Sequence, residues 1–270
     1  MYRYLIVREL LEDTLRRFSE REREVEVLDV DGLVAVGDTH GALDVSAFVV
    51  SRYLHRKHIV FLGDYVDRGR YQFENLLFLI ELSLVSGRVH LLRGNHEDLG
   101  LNAIYGFRAV LDRMGIADLE EIFQRAYSAM PLVIKVPGQA LFVHGGVPHG
   151  APAVDGGISS YAEEILWNDP SESVHDFGPS PRGDGAYTFG VQPLRAFLQR
   201  NGCRLLVRGH EVQREGYRVM FGGLLVSVFS SRYHGGRAAV CHLNFSGAPL
   251  LQFEVLPDSI DPSDPVPQVQ

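Results

Sequence analysis

Five apolar runs in this chain finish in polar side chains of the kind that bind metal ions. They are LVAVGDTHG (Asp38, His40), FLGDYVDRG (Asp64, Asp67, Arg68), LLRGNHE (Asn95, His96, Glu97), LFVHGG (His144) and LLVRGH (His210). Taken alone, a histidine after a strand is ordinarily structural or exposed, because ligation needs converging partners. LLRGNHE is harder to explain that way, since it sets three polar side chains directly after a buried run, where burial without partners is costly. With Asp67, His96 and Glu97 set aside, two Asp carboxylates, three imidazoles and one amide are too many for one catalytic ion. They suit two first-row ions sharing a carboxylate at about 3.5–4 Å separation. Such a pair generates hydroxide near neutral pH and neutralises phosphoryl oxygens, so the chemistry indicated is phosphoryl hydrolysis.

For these endings to meet, the runs must be neighbouring strands, because open α/β sheets bind ligands beyond the carboxyl ends of their strands. The adjoining glycines permit sharp turns and close approach to an ion or phosphate. The rest of the pattern agrees with a layered α/β domain. Leu5, Leu10, Leu11, Leu15 and Phe18 recur at helical spacing, so residues 1–24 are expected to hold an amphipathic helix with a charged exit, SEREREVE. VEVL, the turn DVDG and LVAVGD follow as strand, turn and strand. QFENLLFLIELSLVSG, LGLNAIYGFRAVLDRMG and ADLEEIFQRAYSAM read as helices. PLVIKV and ALFVHGG read as a hairpin around PGQ, and residues 151–190, rich in Gly, Pro, Ser and Asp, as long loops. LLVRGH, GYRVMFGG, LLVSVFSS, AAVCHLNF and PLLQFEVL read as consecutive strands.

At 270 residues and 46% hydrophobic content the chain can bury a sizeable core, and one domain over residues 1–256 is expected, with a disordered tail over 257–270. The net charge of −8, well mixed, offers no footprint for a nucleic-acid backbone. Two cysteines, Cys203 and Cys241, are too few for a disulfide framework or a thiolate cluster. The N-terminus lacks the uninterrupted apolar core of a signal peptide, and no stretch is long and uncharged enough to span a bilayer. The expected setting is the cytoplasm, with neither nucleic acid nor membrane as partner.

In these residues the chain resembles the PPP family of metallophosphoesterases, whose best-known members are protein serine/threonine phosphatases. The family pattern GDxHG, GDxVDRG, GNHE, HGG and a late RxH appears in order as GDTHG, GDYVDRG, LRGNHE, VHGGVP and VRGH. LNAIYGF, MPLVI, ILWNDP and RGDGAYTFG also match family segments, and the resemblance runs from about Val34 to Gly236. It implies the calcineurin-like fold, a β-sandwich flanked by helices, and hydrolysis of phosphoserine and phosphothreonine in proteins. Dinucleoside polyphosphate hydrolysis by the same site and a phosphoprotein-binding module without turnover are the alternatives.

Carried over residue by residue, the resemblance makes Asp38, His40 and Asp64 ligands of one ion, with Asp64 bridging, and Asn95, His144 and His210 ligands of a second. Manganese is the first expectation for the metal, with iron, zinc, cobalt or nickel as alternatives. Arg68 would hold phosphate oxygens in its fork, joined by Arg182, Tyr233 and Asn95. A metal-bridging hydroxide would attack in line, while His96, oriented by Asp67, protonates the leaving oxygen. RGDGAYTFG is one residue longer than the family pattern, and FSSRYHGG departs from FSAPNYCG, with His234 in place of Cys. Trp167 and Asp169 read equally as a core tryptophan with a turn cap and as a loop supporting the site. Arg208 is open in the same way. The resemblance names no regulatory subunit.

Overall fold

In a computed structural model, residues 2–20 and 24–260 are described, with side chains from Tyr4 to Arg16 and from Glu24 onward. Phe18, the charged residues 21–23 and tail residues 261–270, about which the sequence raised expectations, lie outside the described side chains or residues.

Two β-sheets face each other across an apolar core, and helices cover both outer faces. One sheet runs β14(Leu250–Val255)-β13(Ala239–Asn244)-β2(Gly32–Val36)-β3(His58–Phe61)-β4(Val89–Leu91). The other runs β1(Val25–Val27)-β5(Val133–Val136)-β6(Ala140–Val143)-β10(Leu205–Arg208)-β12(Leu225–Val228)-β11(Tyr217–Met220). Alternation within β2 shows the layering. Leu33 and Ala35 enter the core between the sheets, whereas Val34 and Val36 face a helical layer. Both faces are buried, so these strands read as continuous apolar runs rather than as alternating ones.

That helical layer contains α1 (Tyr2–Glu20), α2 (Leu43–Tyr53), α3 (Gln72–Val85), α5 (Phe107–Met114) and α6 (Glu120–Ala129). The second sheet is covered by α7 (Ala162–Trp167) and α8 (Val191–Arg200). In α1 the buried face is Val7 and Leu11, while Leu5 is 55% exposed, so the apolar stripe is rotated from the expected one.

Two further expectations are corrected. The run from Leu99 to Met114 is two helices, α4 (Leu99–Tyr105) and α5, broken at Gly106, whose φ of 116° no other residue type adopts easily. Residues 151–190 are not loop alone. They contain α7 and a small sheet of β7 (Asp169–Pro170), β9 (Tyr187–Phe189) and β8 (Phe177–Pro179). The five late runs are consecutive strands as expected, β10 to β14, divided between the two sheets.

Candidate active site

Register decides where the ligand-type residues emerge. β2, β3 and β4 are parallel, with Val36 opposite Phe61 and Phe61 opposite Leu91, so their carboxyl ends finish level. β6 and β10 are parallel in the other sheet, with Phe142 opposite Val207. An isolated parallel bridge between Asp38 and Phe229 ties the ends of β2 and β12 together. All five motif endings therefore open on the same edge of the sandwich.

The backbone there is under strain. His40 (φ 45°), Asp64 (57°), Asp67 (65°), Arg68 (67°) and His210 (68°) all occupy the left-handed region, which costs roughly 1–3 kcal/mol for each non-glycine residue. Such conformations persist where surrounding contacts over-determine them. Gly94 shows how tight the packing is, because a Cβ there would collide with the Asp64 carboxylate and backbone nitrogen.

Asp64 stands at the centre. Its Oδ2 lies 3.5 Å from His40 Nε2 and its Oδ1 lies 3.3 Å from His144 Nε2. His40 Nδ1 donates to the Val66 carbonyl and His144 Nδ1 to the Leu62 carbonyl, each at 2.8 Å, which leaves both Nε2 atoms as bare acceptors. His144 Nε2 also faces the Asn95 side-chain oxygen at 2.9 Å. Asp38 Oδ2 and His210 Nε2 are buried with no hydrogen-bond partner. Acceptors thus converge on one small volume without a donor between them, and that arrangement calls for a cation. Two groups, His40 with Asp64 and His96, and Asp64 with His144 and His210, are each compact enough to hold an ion, and Asp64 belongs to both.

The electrostatics carry the same message. Burial lowers His40 to about 3, helped by the neighbouring His96, and holds His144 and His210 well below the usual imidazole range. The imidazoles are therefore neutral, the form that binds metal. Burial raises Asp38 to about 7, against the pull of the His210 backbone N–H, and raises Asp64 well above the carboxylate range, with Asp38 adding to the effect. Crowded buried carboxylates ionise fully only when a positive charge sits among them.

His96 is bound differently. Its Nδ1 lies 2.7 Å from Asp67 Oδ2, and its backbone N–H donates to Asp64 Oδ1 at 2.9 Å. Arg68, Arg182, Tyr233 and Trp167 line the same cleft of about 170 Å3. The Arg68 guanidinium packs 3.8 Å above the Tyr105 ring, and Tyr233, 43% exposed, sets its ring edge against His40. Every candidate site residue expected from the sequence is thus drawn into one place.

Sequence reasoning left several supporting residues open or without a role. Glu97 is fully buried and accepts backbone N–H groups from Gly94, Asp64 and Tyr65 at 2.8–2.9 Å, stitching the ends of β3 and β4 together. Arg208, 0% exposed, donates to the Gly145 carbonyl, Asp169 and Glu211. Asp169 in turn accepts from Arg182 Nε at 2.5 Å, which resolves its open reading in favour of supporting the site. Trp167 faces the cleft with its ring perpendicular to His210. The visible signals were a charge inside the apolar run LLVRGH and the acid closing GNHE. The segment LNAIYGF contributes Asn102 and Tyr105 to the same surroundings.

A double sheet with such side chains along one edge is the architecture of a metal-dependent phosphoesterase, and the family model described as calcineurin-like phosphoesterase matches residues 33–214. A probable serine/threonine-protein phosphatase of Encephalitozoon cuniculi is 35% identical over 223 residues, 77% of this chain and 48% of that protein. A serine/threonine-protein phosphatase 4 catalytic subunit of Eremothecium gossypii is 35% identical over 223 residues, covering 77% of this chain and 71% of that one. A putative serine/threonine-protein phosphatase of Schizosaccharomyces pombe is 32% identical over 230 residues, 77% and 72% of the two chains. The chain thus spans about half the length of the first of these relatives and nearly three quarters of the other two. A protein serine/threonine phosphatase from Saccharomyces cerevisiae, with similarity to human phosphatase PP5, superimposes with TM-score 0.84 at 26% identity, covering 96% of this chain and 91% of that one. The chain belongs to the calcineurin-like phosphoesterases, in the branch of the serine/threonine-protein phosphatases.

Proposed function

We propose that this chain is a metal-dependent protein phosphatase that hydrolyses phosphoserine and phosphothreonine monoesters. The observation that carries the reading is the donor-free convergence of Asp64, His40, His144 and Asn95 acceptors, with His96 held apart on Asp67. Asp38, His40 and Asp64 would hold one divalent ion and Asp64, Asn95, His144 and His210 a second, with manganese the first choice. Bound there, the ions would acidify a coordinated water and neutralise phosphoryl oxygens.

The chain's own residues do the rest. Arg68, stacked on Tyr105, and Arg182, anchored on Asp169, line the cleft with guanidinium N–H groups for phosphate oxygens. Asn95 and Tyr233 border the same space. Asp67 accepts from His96 Nδ1, which aims the opposite nitrogen into the cleft with a proton for the departing serine or threonine oxygen. A cytoplasmic setting belongs to this proposal, supported by two buried cysteines that are not paired. Among the described residues no helix is long and apolar enough to cross a membrane.

The test compares substrates on the manganese-loaded protein. The reading expects kcat/KM for a phosphoserine or phosphothreonine peptide to exceed that for diadenosine tetraphosphate and for a phosphotyrosine peptide. A reversed order overturns the substrate assignment, and absence of turnover on all of them overturns the enzymatic one.

A further inference from the structure

We infer that Asn102 is a positioning residue for leaving-group protonation, holding His96 and its carboxylate partner in one geometry from the elbow between α4 and α5. This rests on the general-acid reading of His96. Asn102 is buried, and both N–H bonds of its side-chain amide are spoken for. One donates to Asp67 Oδ2 at 3.0 Å and the other to the His96 carbonyl at 2.8 Å. A single nitrogen therefore fixes the backbone of His96 and the carboxylate that grips its ring. The amide oxygen accepts from the buried Tyr127 hydroxyl at 3.4 Å, which sets which way the amide faces.

The elbow supplies the remaining restraints. Asp98 caps the start of α4 by accepting the Leu101 N–H, and Gly106 turns the chain into α5. That turn directs the Phe107 N–H onto Asp67 Oδ1 at 3.0 Å. Asp67 is therefore held through both oxygens while its own backbone is left-handed. Without the Asn102 N–H, Oδ2 keeps only the His96 contact, and the carboxylate gains freedom to rotate about its remaining bond from Phe107. The His96 ring, which follows Asp67, then loses its aim at the leaving oxygen. Misplacing a catalytic group by about 1 Å can cost around 100-fold in rate.

This role has a signature that a merely structural one lacks. An alkoxide leaving group needs the proton, whereas the p-nitrophenolate ion departs without one. The test measures kcat and KM of the manganese-loaded protein for a phosphoserine peptide and for p-nitrophenyl phosphate, in the wild type, Asn102→Leu, Asn102→Ala and His96→Asn. Each Asn102 variant is expected to lose about 10–100-fold in kcat on the peptide and less than about threefold on p-nitrophenyl phosphate, with KM and metal content close to wild type. Parallel losses on both substrates, or no loss on the peptide, would overturn the role of Asn102. Should Asn102→Leu fail to fold, Asn102→Ala gives the decision, since it removes the donor without adding bulk or charge beside Asp67. If His96→Asn itself fails to separate the two substrates, the general-acid reading falls and this proposal with it. A wild type active on p-nitrophenyl phosphate with the expected pattern absent only in Asn102 variants leaves the proposed function standing.

Discussion

The Asp38 carboxylate, at the end of β2, accepts the backbone N–H of His210, at the end of β10 in the opposite sheet, at 2.7 Å. Residues 172 positions apart are thereby locked together at the mouth of the sandwich, and the other Asp38 oxygen is left buried without a partner. The hydrogen bond joins the two strand ends and leaves the second Asp38 oxygen free to accept a cation.

Asp64 belongs to both candidate ion groups, so its removal should weaken binding at both. Asp64→Asn is expected to fold and to carry at most one weakly held ion by elemental analysis, with phosphatase activity lost. Two tightly held ions in that variant would show that Asp64 does not bridge.

Metal binding should depend on pH in a definite direction. Asp38 titrates at about 7 and Asp64 is raised as well, while His40, His144 and His210 are already neutral well below that pH. Below about pH 7 the metal-free site thus holds protons on its carboxyls, and an incoming ion must expel them. Affinity is expected to fall as pH drops from about 8 to about 6, with net proton release in calorimetry across buffers of different ionisation heat. An affinity that does not change over that range, or net proton uptake, would contradict the assignment.

His96 is close enough to His40 and Asp64 to pass for a ligand by distance. Its bond to Asp67 argues for a free imidazole instead. His96→Asn should keep its metal content and lose on the order of 10²–10⁴ in kcat on a phosphoserine peptide. Loss of the ions together with the activity would make His96 a ligand.

Arg208 has no water contact and anchors Asp169, Glu211 and the Gly145 carbonyl. Arg208→Met removes the positive partner from two carboxylates and should lower stability by about 3–5 kcal/mol, read by denaturant unfolding. It should also loosen Arg182 through Asp169 and raise KM for phosphopeptide. A variant as stable as wild type, with unchanged KM, would show that this buried network supports neither the fold nor Arg182.

The chemistry was legible because it is written locally. Ligand-type residues directly after apolar runs, with glycines beside them, can be read from spacing, and they do lie at strand ends, though the strands belong to two sheets rather than one. The supporting residues were not legible in the same way. Glu97, Asn102 and Asp169 act on backbone N–H groups and side chains from other segments, and nothing in GNHE, LNAIYGF or WNDP states which atoms those are. The break of the helical run at Gly106 was hidden because the apolar periodicity continues on both sides of it.

By itself, then, the order of residues determined which side chains are available for catalysis and that both faces of the central strands are buried, since hydrophobic pattern and motif spacing are properties of the chain. Only the tertiary structure decided that β2 and β10, in different sheets, end beside each other, and which nitrogen of each histidine is left bare. Those outcomes depend on register and on hydrogen bonds between segments more than a hundred residues apart, which local composition does not encode.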